Sequence, residues 1–491
     1  MMLSFLLFIG ATVILLVEGR ALLLLTTGHS FGRILPWTLG FPLGVFLNVL
    51  LFFLFTLFRI PLLLSTIFIA HAVLLTLLTF FLLRFGTVET EKVESERKKD
   101  FLSALFHPFG RRILLVILLL SLAVKLFYGV SHAVLLPTFY YDSLSQWNMR
   151  ARVSLEDHAI AFDSDERRGV SKPQYPILLH SLQILFLLPQ GEWLAGRSAD
   201  SRSSDSAHLR PSGYGWQPSL REGWKDAIAN GATFLLTFSS FLSFFLLLKG
   251  RGGTLYGILG FSPFFLIPLA TMHLVQGYGD IHVLEYLLLS ALLFILFTEG
   301  ARREFLLLSA LFAAAAAWVK QEGLFFGVLP WLMVVSSWFL LQRRGKRHPD
   351  LLFGYLPAML LGSMWTVFLL FKGFPIGAHS GDFSFAFHSE AVRPMLQAFF
   401  SFGSFGLAFF VLPLLVPFFL MAFRSWRIFL APLLILAWGG LAFLLTLFVY
   451  FFTPNVEFLL NGQTFSRTML IPLFLLILGM LLLWGKGLER R

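Results

Sequence analysis

The strongest constraint on this chain is a succession of apolar stretches, each of spanning or near-spanning length. They lie at approximately 2–17, 35–58, 61–83, 113–136, 226–248, 254–271, 283–298, 304–319, 323–341, 351–371, 395–422, 428–452 and 469–484. About 20 apolar residues in helical form cross a hydrocarbon core, and helices satisfy their backbone polar groups internally. The expected fold is therefore an all-α polytopic membrane protein with about thirteen transmembrane helices. Composition agrees: hydrophobic residues are 57% of 491 and charged residues 13%, against about a quarter charged in soluble domains.

The net charge of +11 could suggest nucleic acid. Most basic residues, however, sit in short loops between apolar spans, where topology explains them, so no nucleic-acid partner is expected. With no cysteine there is neither a disulfide framework nor thiol chemistry. The 59 Phe read as lipid-facing and core packing. Leu3 to Val17 lacks a basic leading region and reads as a retained span. The run 176–189, bounded by Pro176 and Pro189, is short for a span and reads as an interfacial or re-entrant helix.

Lys249 and Arg251, Arg302 and Arg303, the run Arg343 to Arg347, Arg424 and Arg427, and Lys486 to Arg491 fall in alternate loops. The positive-inside rule makes those loops cytoplasmic. Residues 85–112, with Glu94 and Lys98 at i,i+4 spacing, then form a cytoplasmic charged linker. The expected organisation is an N-terminal three-helix module at 1–84, that linker, a transmembrane core at 113–484 and a cytoplasmic tail at 485–491. Parity puts the long loop 137–225, loop 272–282, the turn at Lys320 to Gly323, loop 372–394 and loop 453–468 on the outer face. Residues 190–224, rich in Ser, Gly, Arg and Pro, read as a flexible insertion. No internal repeat is detected.

Nearly all residues with chemical potential crowd that face. YYDSLSQWNMRARVSL places Asp142 beside Trp147, Asn148, Arg150 and Arg152 where a span meets water. Such a carboxylate marks either a functional site or a loop-anchoring ion pair. KPQYPILLHSL follows, with Lys172, Gln174 or Tyr175 as ligand-facing candidates beside a proline-defined helix start. HLVQGYGDIHVLEY puts Asp280 at the head of a span, as helix cap or as a second functional carboxylate. There His282 and Glu285 are either a metal pair or a helix contact. WVKQEGLFF sets Lys320 and Glu322 in a turn, satisfying each other or holding a phosphate. In VYFFTPNVEFLLNGQTFSRTML, Arg467 opens the last span, either snorkelling or gripping a phosphate.

As an ordered set these motifs, over about residues 113–470, resemble the GT-C superfamily of membrane glycosyltransferases. The closest likeness is to bacterial relatives of the protein O-mannosyltransferases and of the aminoarabinose transferases that modify lipid A. The resemblance implies a GT-C-like core with catalytic Asp142 and Asp280, the acidic residues of the first and second outer loops. It also implies a polyprenyl-phosphate sugar donor, whose phosphate would lie at the level of Lys320, Lys372, Arg393 and Arg467. The acceptor would be a lipid, glycan or protein, and the membrane lipids are further partners. Asp142 would serve as general base in an inverting transfer on the extracytoplasmic face of the inner membrane. A divalent cation could bridge Asp142 and Asp280. The family's paired acidic motif is absent here, because Asp142 is followed by Ser143, and no large soluble domain follows the last span.

Two other classes compete. A polysaccharide polymerase or ligase would act on the same face. A transporter or flippase would place ionisable groups near the midplane, where this reading finds only Lys125.

Overall fold

The computed structural model describes residues 2–27, 34–85, 108–135, 147–162, 174–198, 220–276, 278–300, 302–341, 350–374, 386–400, 426–460 and 464–488. Among them there is no strand, and ten helices are long and apolar enough to cross a membrane. The chain is an all-α multi-pass membrane protein in contact with lipid. Of the thirteen stretches expected, 254–271 is split: one helix ends at Phe261 and another begins at Pro268. Arg303–Val319 is a 17-residue helix buried inside the protein. Most of 395–422 lies outside the described residues.

The chain forms two compact units. The first comprises residues 1–91, 127–239 and 275–278. It contains α1 (Met2–Thr27), α2 (Leu35–Leu57) and α3 (Leu64–Phe85), the end of α4 (Pro108–Leu135), α5 (Met149–Glu156) and α6 (Leu178–Ser198), and the start of α7 (Leu220–Phe261). Small residues let α1 and α2 pack backbone to backbone. A Cβ on Gly19 would meet the Gly40 carbonyl oxygen at 1.7 Å, and one on Gly44 would meet that of Leu15 at 1.9 Å. Helix α6 packs against α1 and α2.

That packing revises two expectations. Ile177 to Leu188 are buried throughout, so this segment is a core helix and not an interfacial one. The helix also continues through Pro189 to Ser198. The proline ends nothing because the carbonyl it cannot satisfy costs one bond, whereas the buried apolar turns before it are retained. Within 190–224, Gln190–Ser198 and Leu220–Trp224 are helical, and 199–219 lie outside the described residues. Of the linker 85–112, Phe85 is the last residue of α3, residues from Pro108 begin α4, and 86–107 lie outside the described residues.

The second unit comprises 92–126, 240–274 and 279–491. It holds the remainder of α7, broken at Gly253, whose φ of 85° is a glycine conformation. It also holds α8 (Pro268–Gln276) as far as Leu274, α9 (Gly279–Gly300), α10 (Arg303–Val319), α11 (Leu329–Leu341), α12 (Asp350–Phe371), α13 (Val392–Phe400), α14 (Trp426–Phe452) and α15 (Leu470–Leu488). Serines zip α9 to α10: each hydroxyl of Ser290 and Ser309 donates to the other's carbonyl at 2.7 Å. The Trp331 indole donates to the Ser309 hydroxyl at 2.8 Å. Buried polar groups without water need such partners.

Helices α9 and α15 point the same way, since charged residues pair their leading ends, through the turn just before α15, and their trailing ends. Asp280 meets Arg467 at one end, and Glu299 meets Lys486 at 3.2 Å at the other. Arg251 adds a 2.6 Å contact to Glu299.

Candidate functional site

The site in the second unit grows from the short connection after α10. Alanines 313–317 are buried and let neighbouring helices approach closely. Trp318 fixes the helix end, its indole donating to the Leu361 carbonyl of α12 at 2.7 Å. Lys320 then turns extended, at φ −148° and ψ 156°. The chain reverses on a Lys320 carbonyl that accepts from the Gly323 amide at 2.9 Å. Gly323 is required by space: a Cβ there would lie 2.0 Å from the Ala316 carbonyl oxygen. A π-helical turn over Leu324–Val328 follows, and the carbonyl of Phe326 accepts the Trp438 indole N–H at 2.6 Å.

This reversal directs Lys320 at the first turn of α9. Its ammonium donates to Asp280 Oδ1 at 2.9 Å and lies 3.2 Å from Glu322 Oε1. Arg467 Nε is 3.5 Å from Asp280 Oδ2. The turn carrying Arg467 is itself held from α14. The Tyr450 hydroxyl lies 2.9 Å from that of Thr464 and 3.3 Å from that of Thr468, and the Phe465 ring packs edge-on against Tyr450. Four of the residues singled out from sequence are thus assembled: Asp280, Lys320, Glu322 and Arg467. Their side chains grade from Asp280 at 2% exposed, through Lys320 at 7% and Arg467 at 15%, to Glu322 at 35%.

Both Asp280 oxygens face cations, and Asp142, the other residue of the expected cation site, lies outside the described residues. Among the described residues no three His, Cys, Asp or Glu come together as a metal set. His282 Nδ1 lies 3.2 Å from Glu285 Oε2 within one buried helix turn, which is the helix-contact reading of that pair. Lys372 and Arg393 are exposed, and the Lys372 ammonium sits 5.8 Å from the Phe368 ring centroid.

In the first unit, Arg150 and Tyr175 come together. Arg150 is buried and donates from Nε to the Ala161 carbonyl at 2.9 Å and from Nη1 to the Tyr175 carbonyl at 2.6 Å. Burial pushes its guanidinium pKa down to about 9. The Tyr175 ring is buried and stacks on Trp147 at 5.7 Å. Gln183 donates to Asn148 at 2.7 Å, joining α6 to the same turn. Arg152 forms an exposed pair with Glu156. Asp142 and Lys172 lie outside the described residues. No family profile, curated protein or solved structure matches the chain.

One feature escaped the sequence reading, which put Lys125 alone at mid-span. Helix α1 runs on to Thr27, so Glu18 falls inside the span and is fully buried. Its two oxygens lie 2.9 and 3.1 Å from His71 Nδ1 of α3. The resumption of apolar residues at Ala21 to Leu25, after Glu18 and Arg20, was the available signal.

Proposed function

We propose that this protein is a membrane glycosyltransferase of GT-C type that moves a sugar from a polyprenyl-phosphate donor to an acceptor at the extracytoplasmic face of an inner membrane. One observation carries the reading: Lys320 and Arg467, distant in sequence, meet on the buried Asp280 at one end of a helix pair. A buried carboxylate that fixes two cations in advance prepares them for charge that develops on a departing phosphate. Asp280 is then a positioning residue. The proton of the acceptor hydroxyl goes to Asp142, the acidic residue that the resemblance assigns as base. The anomeric carbon exchanges its bond to the donor's phosphate oxygen for one to the acceptor oxygen, and the leaving polyprenyl phosphate keeps the electron pair.

The test is transfer from a radiolabelled polyprenyl-phosphate sugar by detergent-purified protein. Arg467→Ala and Asp142→Asn should each lower turnover about 10²-fold or more with folding intact. Wild-type turnover in both would overturn the proposal. For the sidedness, a cysteine at Ser203 should react with an impermeant reagent in intact cells; reaction only after lysis would reverse it.

A second reading, a flippase or transporter of lipid-linked sugars, draws support from the Glu18–His71 pair, since ionisable groups inside a span accompany transport. Loss of lipid translocation in His71→Ala, with Asp142→Asn unaffected, would favour it. A polymerase or ligase would share the face and the donor chemistry and would differ in its acceptor.

A further inference from the structure

We infer that Glu322 is a displaceable counter-ion that occupies Lys320 until an anionic substrate replaces it. This inference rests on the reading of Lys320 and Arg467 as a phosphate site and concerns how that site is kept when empty of substrate.

The argument starts from charge. Asp280 and Glu322 carry two negative charges and Lys320 and Arg467 two positive ones, so the assembled group is neutral. A neutral group has little net attraction for an anion, and an added phosphate would face two carboxylates at close range. One carboxylate must therefore leave, and the two differ in their freedom to do so. Asp280 is 2% exposed, sits in the first turn of α9 and faces both cations. Its withdrawal would strand buried charge, which is costly. Glu322 is 35% exposed, touches Lys320 through Oε1 at 3.2 Å, and stands in the reversal between α10 and the π-helical turn. Its second oxygen, Oε2, is buried and has no hydrogen-bond partner, so turning the side chain outward would hydrate an oxygen that is now unsatisfied. A carboxylate about a third exposed and held through one oxygen can make that turn at small cost.

Displacement changes the group from neutral to a net charge of +1 while Asp280 continues to aim both cations. An incoming phosphate oxygen then takes the place of Glu322 Oε1 on the Lys320 ammonium. The same residue would exclude adventitious anions, because any competitor must displace a tethered carboxylate first. Glu322 would thus set a threshold for anion binding and would make no contact with bound phosphate.

The test uses the full chain in detergent, with farnesyl phosphate as probe and farnesol and inorganic phosphate as comparators, read by calorimetry. Glu322→Gln keeps the shape of the side chain and removes its charge. It should bind farnesyl phosphate on the order of tenfold more tightly than wild type, and Glu322→Ala should gain similarly. Inorganic phosphate should show the same gain if the phosphoryl group alone is read. A gain confined to farnesyl phosphate would show that the lipid chain is needed as well, and farnesol should gain nothing. Unchanged or weaker binding in both variants, with wild-type binding still lost in Arg467→Ala, overturns the displaced counter-ion alone. Wild-type binding that is absent, or that Arg467→Ala leaves intact, removes the phosphate site and this inference with it.

Discussion

The Lys320 ammonium lies 2.9 Å from the Asp280 carboxylate, and both groups are withdrawn from water. Removing one charge of a buried pair leaves the other uncompensated and costs about 3–5 kcal/mol. Because Arg467 still faces Asp280, Lys320→Met should destabilise the protein by less than that, about 1–3 kcal/mol, measured by detergent-induced unfolding in mixed micelles. The double variant Asp280→Asn, Lys320→Met should recover part of the loss. A double-variant loss equal to the sum of the Lys320→Met and Asp280→Asn single losses would show that the pair contributes no coupling.

Arg150 joins two carbonyls that lie 11 and 25 residues further along the chain. Lysine reaches one acceptor at a time and lacks the planar fork. Arg150→Lys should cost about 1–3 kcal/mol and open the segment before α6 to proteolysis. A cleavage pattern identical to wild type would show that the guanidinium does not organise this loop.

In the first unit, His71→Ala should leave the Glu18 carboxylate buried and alone. The expected loss is again about 3–5 kcal/mol. Glu18→Gln, which needs no counter-charge, should be milder. A double-mutant cycle over Glu18 and His71 measures the coupling directly, and a coupling near zero would contradict the hydrogen-bonded pair.

The α1–α2 contact predicts a contrast between glycines of the same helix. Gly19→Ala would press a methyl group on the Gly40 carbonyl and should cost about 1–3 kcal/mol or more. Gly10→Ala has open space around it and should be neutral or stabilising by about 0.5–1 kcal/mol. Similar behaviour of the two variants would rule out tight backbone contact.

Depth was legible in the sequence, but neighbourhood was not. Hydropathy and loop charge assigned Asp280, Lys320 and Arg467 to one face from three separate motifs, and the second unit brings those three together. Their mutual pairing depended on which helix packs beside which, and a period of 3.6 residues carries no such information. Glu18 was missed because the first span was ended at the first charge, although a buried charge with a partner is compatible with a continuing helix. Arg150 was picked out for its position beside Asp142. Its bonds to distant carbonyls belong to a tertiary fold that local pattern does not encode. The Gly40 and Gly44 spacing, in contrast, is the small-xxx-small signal of close helix approach and was present in the sequence.

Nineteen residues separate Asp280 from Glu299, and nineteen separate Arg467 from Lys486. At a rise of about 1.5 Å per residue this is about 28 Å, close to the thickness of a hydrocarbon core. The two parallel helices therefore act as a calliper: their charged jaws fit the two polar boundaries of a bilayer of ordinary thickness. A membrane several ångströms thinner or thicker would force one jaw into oil or tilt the pair. Because Asp280 and Arg467 form one of those jaws, such tilt would shift the cations themselves.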